Sequence, residues 1–480
     1  MSQWSVEQLF SRMKEHRGIA IIRDNGRSIT YGELLECVDF NYEALQSMLP
    51  HSSHKPCIVT INMSLSWRVV PLMLAAFKLH WTVVPISSAD EVHLSRPLIA
   101  EFPHALHLDR SNVTAEGFIK PSDLQPILPH HDQQLIDVAL IIQTSGTSGN
   151  PKSIMLTYDN IVSNLFDIAK ALQLEPSEQL LIQRPLTYSS ALTGELLAGL
   201  AAGCSILIKP PGGSPLLTLL LIQKHAITTI GGSPTLFSLL APHAAKYDLS
   251  RLRRIILSGE RLTEIQLNSI RAGFRNSTIW NAYGMSEASP RISCLRMDSD
   301  RYHPACVGSP LHHVNIAVVD SAGDRVPNGT IGYLLAAGPN IMKGYYNDTM
   351  LTREKIRNGW LYTGDMAYVQ DGMLVIQGRA DHMMNRAGNN VYPEEIESVV
   401  TSIPGVHEAL AFGLPHPRRG TEIHVWVTCT GGITPSDIQY HLTRIGVDPR
   451  LWPDSIEIRS ELPKTPTGKL LRNRSISALM

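Results

Sequence analysis

Residues 138–172 read VALIIQTSGTSGNPKSIMLTYDNIVSNLFDIAKAL. The segment begins with a short apolar run, Val138–Ile142, followed by a loop of glycines and small hydroxyl residues. Beyond the loop, apolar residues recur with the spacing of one helix face, with Thr157 as N-cap: Ile161, Val162, Leu165, Ile168, Ala169 and Leu172. We therefore predict a strand, a loop and a helix, in which backbone N–H groups of the loop form an anion cradle. The loop is not a P-loop, because Pro151 stands where that motif has its second glycine.

The same alternation of strand-like and helical runs extends over most of the chain, and it predicts an α/β fold with substantial parallel sheet. The runs are Ser205–Ile208, Ile227–Ile230, Arg254–Leu257 and Thr278–Trp280 for strands, and Thr218–Gln223 and Pro234–Leu240 for helices. The last hundred residues differ: Pro393 and two acids begin a helix, and the alternation around Val425 predicts a half-buried strand. We expect a large N-terminal α/β domain, residues 1–380, and a small α+β domain, residues 381–480.

Composition narrows the class of protein. The 480 residues are 43% hydrophobic and 18% charged, with a net charge of −1, so a large core is possible and no electrostatic footprint for nucleic acid or an anionic membrane is present. The longest apolar run, Val69–Phe77, is too short to span a bilayer, and the N-terminus does not resemble a signal peptide. The six cysteines are scattered without a CxxC pair. We expect a cytoplasmic enzyme with reduced thiols and no membrane span.

Four further motifs follow the loop in a fixed order. They are Tyr283-Gly284-Met285-Ser286-Glu287, Tyr362-Thr363-Gly364-Asp365, Gly378-Arg379-Ala380-Asp381 and Pro463-Lys464-Thr465-Pro466-Thr467-Gly468-Lys469. Together with the loop, this ordered set resembles the signatures of the adenylate-forming superfamily, which includes acyl-CoA synthetases, adenylation domains of peptide synthetases and luciferases. The resemblance extends from Ile29 to Lys469 and implies a large domain of packed sheets with a small mobile C-terminal domain.

The resemblance implies a role for individual residues. Lys469 would contact the carboxylate and the α-phosphate, Glu287 and Thr147 would hold Mg²⁺, and these three would be catalytic. Tyr283 would stack on adenine, Asp365 would bind the ribose with help from Arg379, and Asp381 would be the hinge. Further ATP contacts would come from Thr144, Ser145, Gly146, Ser148, Gly149, Lys152, Gly259, Glu260, Ala282, Gly284 and Ser286. The chemistry requires such groups, since a carboxylate and a phosphate repel each other unless nearby charges compensate.

The acyl pocket is expected around residues 185–195, by the same resemblance. The lining residues would be Tyr188, Ser189, Ser190, Gly232, Ser258 and Pro290. No aspartate is found where amino-acid-activating members pair the substrate ammonium, and an unpaired buried ammonium is costly, so a neutral-tailed fatty or aryl acid is favoured over an α-amino acid. Two points stay open: Gly231-Gly232 could give the pocket depth or merely form a turn, and Arg291 could bind a second carboxylate or hydroxylated tail or be structural.

The predicted activity is ATP-dependent formation of an acyl-adenylate, followed by transfer of the acyl group to the thiol of coenzyme A. An alternative acceptor is the phosphopantetheine arm of a separate acyl carrier protein. Asn385 stands where many members carry a lysine associated with thioester formation, so details of the second step are open. A non-catalytic nucleotide- or acyl-binding relative and a luciferase-like oxygenase are the other classes. Apart from Mg²⁺, no metal is implied.

Overall fold

The structure is a computed structural model. It describes residues 4–23, 27–49, 57–87, 102, 105–124, 132–145, 151–209, 213–297, 302–386, 389–416, 420–464 and 470. Its α-helices are Val6–Glu15, Tyr31–Ser47, Val69–Lys78, Tyr158–Ala171, Ser189–Ala191, Ala198–Ala201, Leu217–Lys224, Pro234–Leu240, Glu264–Gly273, Thr349–Lys355, Pro393–Thr401 and Pro435–Arg444. A π-helical turn, Leu192–Leu197, joins Ser189–Ala191 to Ala198–Ala201.

Threonine N-caps fix the start of helices on both sides of the predicted ATP loop. Thr30 Oγ1 accepts a hydrogen bond from the backbone N–H of Glu33 at 3.2 Å, and Thr157 Oγ1 accepts one from Asn160 at 3.1 Å. Such caps satisfy N–H groups that have no partner within the helix. The predicted helix with Thr157 as N-cap is therefore confirmed as Tyr158–Ala171.

A large sheet forms the first layer of the N-terminal part, with fourteen strands among the described residues. Its order is Asn315–Val319, Gly332–Ala337, Trp360–Gln370, Met373–Arg379, Cys306–Pro310, Arg291–Arg296, Thr278–Gly284, Arg254–Leu257, Thr229–Gly232, Gln179–Ile182, Ser205–Ile208, Ile19–Ile22 and Ile29–Thr30, with Ile356–Arg357 paired to Trp360–Gln370. Pairing is parallel from Thr278–Gly284 to Ile19–Ile22 and antiparallel from Thr278–Gly284 to Asn315–Val319. Thr278–Gly284 is thus the strand at which a parallel half meets an antiparallel half.

A second, six-stranded sheet packs against the large one through shared helices. Its order is Gly344–Tyr345, Pro151–Thr157, Val138–Ser145, Thr82–Ile86, Ile58–Asn62 and Leu106–Leu108. One continuous hydrophobic core contains Ile142 of this sheet, Ile206 of the large sheet and Leu165 of the helix Tyr158–Ala171. The helix Val69–Lys78, which holds the longest apolar run, is buried in the same core, so its uniform hydrophobicity reflects burial on all sides.

The C-terminal part has a hydrophobic core of its own. Its strands are Val406–His416, Gly420–Cys429 and Ser455–Ile458 in one sheet and Met384–Arg386 and Asn389–Val391 in another. The mixed α/β fold with a large N-terminal domain of packed sheets and a smaller C-terminal domain is confirmed, with Ile396, Val425 and Ile438 in the smaller core. The division at residue 380 and the mobility of the small domain stay predictions.

Two expectations about local structure are wrong. The Gly/Ser/Thr loop does not lead into a helix, because a strand, Pro151–Thr157, pairs back on Val138–Ser145 before the helix begins. The C-terminal strand around Val425 is buried on both faces, because Trp426 on its other side is only 2% exposed and packs against Phe412. The strand is central in its sheet, and the neighbouring chain covers the face that the alternation assigned to solvent.

Candidate active site

Part of the predicted site lies at one edge of the large sheet. Its parallel strands Gln179–Ile182, Thr229–Gly232, Arg254–Leu257 and Thr278–Gly284 all end at this edge. Loops that follow the carboxyl ends of parallel strands are where α/β sheets bind ligands. Ser258, Gly232, Tyr283 and Gly284 all lie there.

Tyr283 and Asp365 come together although they are far apart in the chain. The Tyr283 hydroxyl donates a hydrogen bond of 2.5 Å to Asp365 Oδ2. Asp365 lies opposite Arg379 in the antiparallel pair of strands, with Arg379 Nη1 3.5 Å from Asp365 Oδ1. Arg379 Nε in turn donates to Asp381 Oδ1 at 3.1 Å. The predicted adenine, ribose and hinge residues therefore form one connected network.

Burial dominates the electrostatics of this network. It raises the pKa of Asp365, although the Arg379 guanidinium acts in the opposite direction. Burial also raises the pKa of Tyr283, with Asp365 adding to the effect, so the hydroxyl remains a donor. For Asp381 burial would raise the pKa, but its contacts with Arg379 outweigh burial and the pKa is lowered. Asp381 is thus held as the anionic partner of Arg379 at the predicted hinge.

Gly364 is required by the same network. Its φ is +80°, and a Cβ there would lie 2.9 Å from Arg379 Nη2. A side chain at this position would combine a strained backbone with displacement of the guanidinium.

Glu287 and Lys152 meet at Tyr345, a residue that the sequence motifs do not include. The Tyr345 hydroxyl donates to Glu287 Oε1 at 2.9 Å, and Lys152 Nζ lies 5.7 Å from the centre of the Tyr345 ring. Burial raises the pKa of Tyr345, with Glu287 contributing next, so its hydroxyl stays protonated and able to donate. The predicted magnesium ligand and the predicted phosphate-binding lysine therefore share one buried aromatic side chain.

A hairpin of the strands Val138–Ser145 and Pro151–Thr157 lies beside this group. Thr144 pairs with Lys152 and Ser145 with Pro151 at the last rungs of the hairpin. Gly146, Thr147, Ser148 and Gly149 lie outside the described residues, as does Lys469. The roles expected of these five stay predictions.

The other residues expected at the ATP site occupy turns at the same edge. Gly259 adopts a φ of +92° with no atom within 4 Å of a Cβ built there. Glu260 Oε2 accepts a hydrogen bond from Thr235 Oγ1 at 2.6 Å, which ties the turn after the strand Arg254–Leu257 to the start of the helix Pro234–Leu240. Ala282 is buried within the strand that ends at Gly284.

Most residues expected to line the acyl pocket are brought together. Ser189 Oγ lies 2.8 Å from Ser286 Oγ, which joins the pocket segment to the motif that carries Glu287. Ser258 Oγ accepts a hydrogen bond from Arg184 Nη1 at 2.9 Å. A Cβ on Gly232 would lie 2.5 Å from Gln183 Nε2, so glycine serves close packing at that turn. Pro290 lies 3.1 Å from a Cβ built on Gly194, and Tyr188 is the N-cap of the short helix that carries Ser189 and Ser190.

Sequence reasoning missed three residues of this region: Tyr345, Arg184 and Glu195. Arg184 and Glu195 form a buried ion pair beside Ser258. A signal was present, because Arg184 directly follows an apolar strand and Glu195 stands in an otherwise apolar and small-residue helix. A charged residue in such a position has a partner in nearly every fold.

Within the part of the chain that the structure describes, no cluster of three or more His, Cys, Asp or Glu side chains could hold a metal ion. None of the described helices is long and apolar enough to cross a membrane. A cytoplasmic location stays a prediction.

Comparison with known families identifies the family to which the chain belongs. A family model described as AMP-binding enzyme matches residues 89–346, and one described as AMP-binding enzyme C-terminal domain matches residues 395–469. The chain belongs to the AMP-binding enzyme family. The two matched ranges contain the hairpin, the Tyr283–Glu287 motif and Lys469.

Individual AMP-binding enzymes resemble the chain over most of its length. A feruloyl-CoA synthase of Amycolatopsis sp is 31% identical over 394 residues, which are 80% of this chain and 78% of that protein. A long-chain-fatty-acid–CoA ligase of Bacillus subtilis is 30% identical over 350 residues, 70% of this chain and 61% of the ligase. The crystal structure of ATP-bound MatB from Rhodopseudomonas palustris superposes with a TM-score of 0.83 at 24% identity, covering 98% of this chain and 97% of MatB. The resemblance to adenylate-forming enzymes, of the acid–thiol ligase type, is confirmed.

Proposed function

We propose that this AMP-binding enzyme activates a carboxylic acid with ATP and transfers the acyl group to the thiol of coenzyme A. The carboxylate oxygen attacks the α-phosphorus, the bond to the β-phosphate breaks, and pyrophosphate leaves. The thiol, after losing its proton, then attacks the acyl carbon of the adenylate and AMP leaves. The relatives named as CoA ligases support both the reaction and the acceptor.

The observation that carries the proposal is that one short motif links two groups of side chains, one on each of the two sheets. Tyr283, Asp365 and Arg379 form the network suited to adenosine, and Glu287 with Tyr345 and Lys152 forms the group suited to phosphates. The Tyr283–Glu287 motif joins the two, because it begins in one group and ends in the other. A nucleotide with its base at Tyr283 would have its phosphates directed toward Glu287.

The proposed magnesium ligands are Glu287 and Thr147. A carboxylate and a hydroxyl are oxygen donors of the kind that Mg²⁺ prefers, and the Tyr345 hydroxyl leaves the second oxygen of Glu287 available. Bound Mg²⁺ would neutralise phosphate oxygens and assist the departure of pyrophosphate. Lys152 adds a positive charge beside the same phosphates.

We further propose that Lys469 supplies the charge that brings the carboxylate to the α-phosphate, and that Asp381 is the hinge for the second step. Asp381 sits between Arg379 and the start of the small domain, so a rotation there would alter the Arg379–Asp381 contact. A hinge of this kind lets one cleft serve two reactions in turn.

The test is ATP–pyrophosphate exchange and thioester formation with Lys469→Ala. Exchange should fall by roughly 10²–10³ while the protein stays folded, because one contact to developing charge is lost. Lys464→Ala is a matched control from the same motif, since Lys464 Nζ is paired with Glu408 Oε1 at 2.6 Å. Exchange by Lys469→Ala at the rate of the control would refute the assignment.

The acceptor is tested separately with the wild-type protein. Thioester formation that depends on CoA supports the proposal. If CoA does not discharge the adenylate but a phosphopantetheinylated carrier protein does, the acceptor is a carrier protein and not CoA.

A further inference from the structure

Three buried charged side chains lie together in the proposed acyl pocket, and we call them the charge cluster: Arg184, Glu195 and Arg291. They come from three elements that the fold brings together at the site edge. Arg184 follows the strand Gln179–Ile182, Glu195 lies in the π-helical turn, and Arg291 begins the strand Arg291–Arg296. The side chains of Arg184 and Glu195 are 15% and 3% exposed, and Arg291 is 2% exposed.

Contacts connect the cluster to residues expected to line the acyl pocket. The Arg184 guanidinium donates hydrogen bonds to Ser258 Oγ and to Glu195 Oε1. The Glu195 carboxylate fills the space beside Gly231, where any Cβ would collide with it. Arg291 Nη2 lies 3.8 Å from a Cβ built on Gly194, one residue before Glu195. Gly231 therefore provides room for a charged side chain.

The charges of the cluster do not balance. Arg184 and Glu195 form one ion pair, and Arg291 is a second cation without an acid of its own in the cluster. Arg291 Nε and Nη2 have no hydrogen-bond partner among the described residues, nor does Glu195 Oε2. An uncompensated buried charge is costly, and a guanidinium does not escape the cost by losing its proton.

The backbone of Arg291 is held firmly, while Nε and Nη2 of its side chain have no hydrogen-bond partner among the described residues. Asn164 accepts a hydrogen bond from Arg291 N at 3.0 Å and donates one to Arg291 O at 2.9 Å. Burial is the main influence on Arg291 and lowers its pKa; the Arg184 cation acts in the same direction, while Cys294 and the Glu195 carboxylate oppose the shift without cancelling it. The fold thus buries a guanidinium, at a cost in free energy, beside the segment expected to line the acyl pocket.

We infer that the pocket takes a carboxylic acid with a second carboxylate at its far end, and that Arg291 binds this second carboxylate. The inference rests on the proposed function and names its substrate class. A carboxylate matches the planar guanidinium in a bidentate pair and would bring the net charge of the cluster to zero. An acid with a cationic far end is disfavoured, since that end would meet a cluster of net positive charge. The tail is therefore anionic, where the sequence favoured a neutral one.

The two ends of the acid would bind at different points along the helical segment that begins at Ser189. Ser189 contacts Ser286 next to Glu287, whereas Glu195 lies six residues further along the same helical segment. Six residues of α-helix would span roughly 9 Å, and this segment spans less because Leu192–Leu197 is a π-helical turn. The activated carboxylate would lie near Ser189 and the second carboxylate near Arg291.

The experiment compares each diacid with its own monomethyl ester in ATP–pyrophosphate exchange by the wild-type protein. The panel contains the aliphatic diacids from succinic to sebacic acid, terephthalic acid, the corresponding ω-hydroxy acids, and simple fatty and aryl acids. For the best diacid we expect kcat/KM to exceed that of its ester by about 10- to 100-fold, the usual effect of a hydrogen-bonded charge pair.

Variants then assign the preference to Arg291. Arg291→Met should abolish the diacid preference, and Arg291→Lys should retain part of it because it keeps the cation. Arg296→Met, on the exposed end of the same strand, is the matched control and should leave the preference unchanged. Arg291→Met with an unchanged preference would overturn the inference.

The outcomes separate this inference from the proposed function. Exchange in which an ester, an ω-hydroxy acid or a simple monoacid equals or exceeds every diacid would overturn the inference and leave the proposed function intact. Exchange with none of the acids would overturn the proposed function. If Arg291→Met does not fold, the wild-type comparison and Arg291→Lys decide the question.

Discussion

Replacement of Tyr345 by phenylalanine should weaken the use of magnesium-ATP without disturbing the fold. Tyr345 is 3% exposed, and its hydroxyl donates to Glu287 Oε1 at 2.9 Å. Its ring packs near the Lys152 ammonium, 5.7 Å away. Phenylalanine keeps the ring and therefore the contact with Lys152, so the substitution removes only the hydrogen bond to Glu287.

The expected size follows from that single bond. A hydrogen bond to a charged group contributes about 1.5–3 kcal/mol, which corresponds to roughly 10- to 100-fold in an equilibrium constant. Without the hydroxyl, Glu287 is no longer oriented toward the phosphates before Mg²⁺ binds. We therefore expect the Mg²⁺ concentration for half-maximal exchange to rise by roughly 10-fold or more, and excess Mg²⁺ to restore part of the rate.

The assay is ATP–pyrophosphate exchange with one acid at fixed ATP, titrated with Mg²⁺. Tyr158→Phe is the matched control, because the Tyr158 hydroxyl makes a buried hydrogen bond of 2.8 Å to Trp81 O away from the site. That control should lose some stability and keep the wild-type Mg²⁺ dependence. If Tyr345→Phe also shows wild-type Mg²⁺ dependence, or if the control is shifted equally, Tyr345 does not position Glu287.

Three further changes probe the nucleotide network and the start of the helix after the hairpin. Asp365→Asn should raise KM for ATP by roughly 10-fold, and its free energy of unfolding at pH 7 should equal or exceed the wild-type value. Because burial raises the pKa of Asp365, the folded protein loses stability as pH rises through that pKa, so the advantage of asparagine should shrink at acid pH in thermal unfolding. Gly364→Ala should cost roughly 1–3 kcal/mol in urea unfolding, from its positive φ and the nearby Arg379 guanidinium. Thr157→Ala should cost about 1 kcal/mol in urea unfolding by removing the N-cap, with exchange unchanged at temperatures where the protein is folded.

Controls distinguish these effects from general damage. Thr157→Ser keeps the hydroxyl and should restore most of the stability. Gly372→Ala has a φ of +76° and no atom near its Cβ, so it isolates backbone strain from the clash at Gly364. A Gly364→Ala protein as stable as Gly372→Ala would mean that the Arg379 contact adds nothing. An Asp365→Asn protein less stable than wild type at pH 7 would contradict the dominance of burial.

The residues within each short segment determine much of its secondary structure, which is why the order of helices and strands could be predicted. The helix Pro234–Leu240 and the strand Arg254–Leu257 occupy the predicted ranges, since apolar spacing, proline and turn residues specify their ends. The five ordered motifs likewise indicated the family, because each preserves residue types that the chemistry with ATP requires. These are properties of short segments, and they do not depend on which segments meet.

Contacts between distant segments could not be read in this way. The strand Pro151–Thr157 resembles a helix lead-in until it pairs with Val138–Ser145, and the Trp426 face resembles a solvent face until Phe412 and Leu462 cover it. Tyr345 belongs to no motif, and it becomes part of the site only because its strand pairs with Pro151–Thr157, which carries Lys152.

For the substrate, too, the sequence predicts one part and the folded structure is needed for the other, as the charge cluster shows. From the sequence alone, Arg291 could either bind the tail of the acid or be structural, and Glu195 had no assigned role. The role of a charged side chain is not evident until its surroundings are known. Folding buries Arg291, pairs Glu195 with Arg184, and leaves two nitrogens of the Arg291 guanidinium without a hydrogen-bond partner among the described residues. Burial and pairing depend on the whole packed structure, so the sequence predicted that an acid is activated, and the packed pocket indicated what the far end of that acid carries.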